Sequence, residues 1–158
     1  MQAAIAAASR SPTVGGAFRV VEFSIQRDHV HLIVEASDGD VLARGTRGLV
    51  IRLARAINRA LGVRGPVWGD RYHARDLETP RAVRNAIVYV LMNARKHGER
   101  VASGVDRFSS APWFDGFARS LAPADGPSPV VDARTWLASR GWRRRGLVRF
   151  DERPLAPD

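Results

Sequence analysis

Two histidines one residue apart, His29 and His31, lie in the run Asp28-His29-Val30-His31-Leu32-Ile33-Val34-Glu35. The run alternates as a strand does, and a two-residue repeat sends Val30, Leu32 and Val34 to one face and both imidazoles to the other. Neighbouring imidazoles on a rigid surface can grip one divalent cation, although two ligands do not close a site. The plain alternative is a pair of polar residues on the wet side of a half-buried strand. Further along, Tyr89 and Asn93 stand one helical turn apart. With the Asn93 amide oxygen as third ligand, a metal held by His29 and His31 would polarise a phosphodiester, and the Tyr89 hydroxyl would attack phosphorus. Taken alone, Tyr89 and Asn93 read as an exposed, hydrogen-bonded pair on an ordinary helix. Together with the histidines they are the parts needed to break a DNA strand through a covalent 5′-phosphotyrosine.

These side chains need elements to hold them. Ala3 to Ala8 is a short helix-forming run ended by Pro12 and Gly15-Gly16, and Phe18 to Ile25 reads as a Val- and Phe-rich strand. The turn Gln26-Arg27-Asp28 leads directly into the histidine strand, which predicts an antiparallel hairpin. After Ser37-Asp38-Gly39-Asp40, the spacing of Leu49, Leu53, Ile57 and Leu61 predicts an amphipathic helix closed by Gly62, with Arg52, Arg55 and Arg59 off the apolar stripe. Arg71 to Leu77 is expected as a further strand. Thr79-Pro80 marks the start of another helix, running to about His97-Gly98, with Val83, Ile87, Val90, Leu91 and Ala94 as its buried stripe. Tyr89 and Asn93 lie together on the opposite side.

The order helix, strand, strand, helix, strand, helix predicts an α+β fold. It is a ferredoxin-like antiparallel sheet with helices on one face, lacking its first strand. Residues 1–98 form the expected domain, and 99–158 an irregular basic, aromatic tail with a linker near 122–129. Within that tail, Thr135 to Arg145 reads as a short basic helix or arm. Trp113, Phe114, Trp136 and Trp142, interleaved with Arg140, Arg143, Arg144 and Arg145, either stack bases and bind phosphates or cover the core.

The chain has 158 residues and a formal charge of +9 at pH 7, which favours a polyanionic partner such as nucleic acid. Cysteine is absent, so thiolate metal sites and cysteine nucleophiles are excluded, and any metal takes N and O ligands. No apolar run is long enough to span a bilayer and the first ten residues lack a signal-peptide pattern, so a soluble cytoplasmic protein without a membrane partner is expected.

Three stretches, Asp28-His29-Val30-His31-Leu32-Ile33-Val34, Gly65-Pro66-Val67-Trp68-Gly69-Asp70-Arg71-Tyr72 and Tyr89-Val90-Leu91-Met92-Asn93, together resemble the HUH single-tyrosine transposases, in particular those associated with repetitive extragenic palindromes. The resemblance covers roughly Phe18 to His97. It implies a DNA transposase or strand transferase in which His29 and His31 are metal ligands, Asn93 is the third ligand and Tyr89 is the nucleophile. It further implies Mg²⁺ or Mn²⁺ as cofactor and single-stranded or hairpin DNA as partner, cut and rejoined by a monomer or homodimer. Zn²⁺ also accepts two histidines, so the donor types alone leave the metal open. Arg52, Arg55, Arg59, Arg71, Tyr72, His73 and Lys96 are the candidate DNA contacts, with Tyr72 as rival nucleophile. The family's sheet begins with a central strand that nothing before Ala3 supplies, which makes a catalytically inactive or domesticated DNA-binding remnant the alternative function.

Overall fold

The computed structural model describes residues 1–9, 16–93, 105–122 and 124–153. Helix α1 (Gln2–Ser9) precedes strands β1 (Phe18–Ile25) and β2 (Val30–Ala36), then α2 (Gly39–Leu61), α3 (Pro80–Leu91) and the short α4 (Trp136–Ser139), which a 3-10 turn at Gly141–Arg145 follows. The chain is α+β, with one two-stranded antiparallel sheet among the described residues. No helix among them is long and apolar enough to cross a membrane.

The hairpin closes through the Gln26 amide, which donates to the His29 carbonyl, so His29 ends the turn and β2 starts at Val30. The register pairs Arg19 with Glu35, Val20 with Val34, Glu22 with Ile33, Phe23 with Leu32 and Ser24 with His31. Val21 is the extra residue of a β-bulge between Val20 and Glu22. A bulge resets the alternation, so Phe18, Val20 and Phe23 share one face although their spacing is uneven. That face packs with Ile5 of α1 and with Val41, Leu49 and Leu53 of α2. Val21 and Ile33 look the other way, onto Val83, Ile87, Val90 and Leu91 of α3 and onto Phe117, Trp142 and Val148 of the tail. The ribbon therefore carries helices on both faces, which corrects the expectation of helices on one. A two-stranded ribbon with apolar residues on each side has to be covered twice.

Local signals place the helix ends. The Asp38 carboxylate accepts from the Val41 amide at the start of α2, and Gly62 ends it in the left-handed region at φ 66°. Thr79 Oγ1 accepts from the Ala82 amide at the start of α3, ahead of Pro80. The expected stripe of α2 fails at its far end, where Leu61 is 69% exposed. The reason is length: 23 residues of helix reach about 35 Å, whereas the eight residues of β1 reach about 26 Å, so the last turns outrun the ribbon.

Two further expectations are corrected. Residues 71–77 form no strand and all but Leu77 are exposed, because Tyr72-His73-Ala74-Arg75-Asp76 offers no alternating apolar face to bury. The outer edge of β1 is also already taken. The Ile25 amide donates to the Phe108 carbonyl, the Ser110 amide to the Phe23 carbonyl, and the Val131 amide to the Val20 carbonyl. Helix α3 stops at Leu91, where Met92 (φ −104°, ψ 8°) leaves the helical path, instead of running to about His97. Ala94, Lys96 and His97 lie outside the described residues.

Candidate metal and tyrosine site

The face of the hairpin that packs on α3 is the face that carries the histidines, since Ser24 and His31 are cross-strand partners on the side of Val21 and Ile33. The rings of His29 and His31 stand edge to face with centroids 4.6 Å apart. Tyr89 of α3 completes the row, its ring edge to face with His31 at 4.9 Å. The hairpin thus holds the two imidazoles side by side, and α3 lays the tyrosine across one of them. No ring contact joins Tyr72 to either histidine among the described residues; it is 52% exposed in the extended segment after α2.

Asp28 Oδ1 lies 2.6 Å from His29 Nδ1. With a proton on Nδ1 donated to that carboxylate, Nε2 keeps its lone pair, the arrangement that orients metal-binding histidines elsewhere. The Nε2 atom of His31 is buried. Asn93 is fully buried at 0% exposure, and neither Oδ1 nor Nδ2 has a hydrogen-bond partner among the described residues. That overturns the exposed, hydrogen-bonded reading for Asn93. A buried amide without partners forfeits about 1–3 kcal/mol, a penalty that coordination of Oδ1 to a cation would relieve. No group of three His, Cys, Asp or Glu able to hold a metal occurs among the described residues. The donors that stand side by side among the described residues are the two imidazoles, and nitrogen donors suit Mn²⁺ or Zn²⁺ better than oxygen-seeking Mg²⁺.

The candidate DNA contacts divide by position. Arg52, Arg55 and Arg59 ride on α2, which packs on the ribbon face opposite the histidines. Arg71, Tyr72 and His73 are exposed in the segment between α2 and α3, and Lys96 lies outside the described residues.

Two acids gained roles that alternation alone did not reveal. Glu35, buried on β2, accepts from the amides of Arg134 and Thr135, the Thr135 hydroxyl and the Arg19 guanidinium. Burial alone would raise its carboxyl, but those donors outweigh burial and hold it below the usual carboxylate range. Glu22 shows the opposite balance. Protein packed around its carboxyl pushes it up to about 8, with the Ser110 hydroxyl opposing and the negative charge of Asp115 adding to the rise. Apart from Arg19, the cross-strand neighbour of Glu35, their partners lie in the tail, so only the fold could disclose them.

No protein-family model, no curated protein and no solved structure matches this chain. The hairpin, α3 and the histidine–tyrosine row stand on their own geometry.

Proposed function

We propose that the protein cleaves and rejoins single-stranded or hairpin DNA through a 5′-phosphotyrosine at Tyr89, as a metal-dependent strand transferase of the transposase type, acting in the cytoplasm as monomer or homodimer. In this reading the hairpin and α3 carry the chemistry, and α2 supports the hairpin from its other face. The supporting observation is the convergence of His29 and His31 of the hairpin with Tyr89 of α3 in one row.

Tyr89 Oη attacks phosphorus, the bond from phosphorus to the 3′ oxygen breaks, and the tyrosine proton is balanced by the proton taken up by the departing 3′ hydroxyl. The 5′ phosphate stays on Tyr89, and a 3′ hydroxyl of the same or another strand reverses the step. His29, His31 and Asn93 would hold the cation, which when bound would neutralise charge on the phosphoryl oxygens. Asp28 fixes the His29 ring, and the contact with His31 limits where the Tyr89 ring can sit.

A second reading, a DNA-binding protein without cleavage, is favoured by the placement of Arg52, Arg55 and Arg59 away from the histidine–tyrosine row. One assay separates the two. Wild type incubated with labelled single-stranded hairpin DNA and Mn²⁺ yields an adduct that survives denaturation and is lost with EDTA and in Tyr89→Phe. Retarded DNA without any adduct would establish the second reading, and hydrolysis that persists in Tyr89→Phe would point to water as the nucleophile.

A further inference from the structure

The structure divides the tail aromatics. Trp142, 1% exposed, stacks on Phe114 inside the α3 core, and half-buried Trp113 donates its indole N–H to the Gly126 carbonyl. Trp136 is different: it is 49% exposed, and the Arg144 guanidinium lies over its ring at 5.0 Å. A close approach fixes the indole. A Cβ at position 141 would fall 2.7 Å from its Cζ3, so only glycine lets the chain pass beneath the ring. The preceding residue, Thr135, is tied to β2 by its amide and hydroxyl, both donating to Glu35. Trp136 is thus an exposed aromatic on a rigid mount.

The charges around it are equally selective. Three acids of the tail are engaged, Asp115 with Arg143, Asp151 with Arg149 and Glu152 with Arg84, while Asp132 stays exposed. Arg140, Arg144 and Arg145 are exposed and have no carboxylate partner among the described residues. A guanidinium over a fixed, half-exposed indole, with two more exposed arginines on the same short helix-and-turn segment, complements a chain of alternating bases and phosphates. Bases stack on indole and guanidinium planes whatever their sequence, and guanidinium takes phosphate bidentately.

We infer that Trp136, with Arg140, Arg144 and Arg145, is a second nucleic-acid contact, which binds a single strand by stacking a base on the Trp136–Arg144 pair and holding phosphates with the flanking arginines. This surface needs neither metal nor Tyr89. It therefore stands or falls separately from the cleavage reading.

The test is equilibrium binding of fluorescent oligothymidylate and oligouridylate to the full chain in EDTA, on a Tyr89→Phe background. Trp136→Ala weakens binding about tenfold while Trp136→Phe, which keeps a stacking face, retains most of it. Arg145→Ala lowers the steepness of the salt dependence by about 0.7, the value of one phosphate contact on a single strand. Preference for one oligomer assigns DNA or RNA as the strand held. Thermal melting checks that each variant is folded, and Arg145→Ala, at an exposed position, keeps the test open should Trp136→Ala unfold. Unchanged affinity in folded Trp136→Ala, or an unchanged salt slope in Arg145→Ala, overturns the inference.

Discussion

The rings of His31 and Tyr89 meet edge to face, 4.9 Å between centroids, and so fasten the strand that carries the imidazoles to the helix that carries the hydroxyl. Ring and hydroxyl are separable by substitution. Tyr89→Phe keeps the contact and should shift stability by less than about 1 kcal/mol while abolishing the DNA adduct. Tyr89→Ala should lose the adduct and cost about 1–2 kcal/mol, because the ring contact and its buried area go together. Chemical denaturation of both variants beside the adduct assay checks the pair.

Asn93 carries a complementary expectation. Its buried amide has no partner among the described residues, so Asn93→Leu, a change of similar size, should leave the metal-free protein as stable as wild type or stabilise it by about 1 kcal/mol. The same substitution should reduce the rise in melting temperature that Mn²⁺ gives to wild type. Melting curves with and without Mn²⁺ read both effects; a loss of stability without metal would mean that the amide is bonded in the metal-free fold.

Acid and base should weaken the fold through different carboxylates. Glu35 is held below its ordinary value of 4.5, so it contributes stability above that value, and the contribution is lost as pH falls through its lower folded value. Glu35→Gln should flatten the acid limb of a plot of stability against pH. Glu22 is raised from 4.5 to about 8, so the folded state holds a proton that the unfolded chain releases, and stability declines as pH climbs between those values. Glu22→Gln should remove that decline and be more stable than wild type at alkaline pH. Urea midpoints across pH test both signs.

Gly45 invites an apparently favourable change that the packing forbids. In an exposed helix, alanine would gain up to about 1 kcal/mol over glycine. Here a Cβ would lie 2.3 Å from Cδ2 and Cγ of Phe18, where α2 crosses β1. Gly45→Ala should therefore destabilise by about 1–3 kcal/mol, and Gly45→Ala with Phe18→Leu should recover part of the loss.

Legibility in the sequence followed the range of the interactions. The hairpin, the capped start of α3 and the glycine end of α2 depend on residues a few positions apart, and each was readable from alternation, caps and turn residues; the Asp38 cap that starts α2 lay in what read as a loop. Placing both imidazoles on one face needed only the two-residue period. The bulge at Val21 was not readable, because which of two adjacent valine positions goes unpaired is decided by what each face meets. The strand expected at residues 71–77 failed for a related reason: the edge of β1 is filled by Phe108–Ser110, far along the chain. Tail sequence alone could not sort Trp142 from Trp136, since burial depends on where α3 lies.

The contact between Glu35 and Thr135 spans 100 positions, and that between Ser110 and Glu22 spans 88. Such distances set an order of assembly. Helix α1, the hairpin and the first turns of α2 adjoin in sequence and bury one ribbon face together, so that half can form while the rest is still being synthesised. The histidine face has to wait until residues beyond 135 have been made and drawn back across the chain. Pulse-labelled amide exchange during refolding should find Val20 and Leu53 protected before Ile33 and Ile87, so the row that includes Tyr89 would be the last part of the molecule to set.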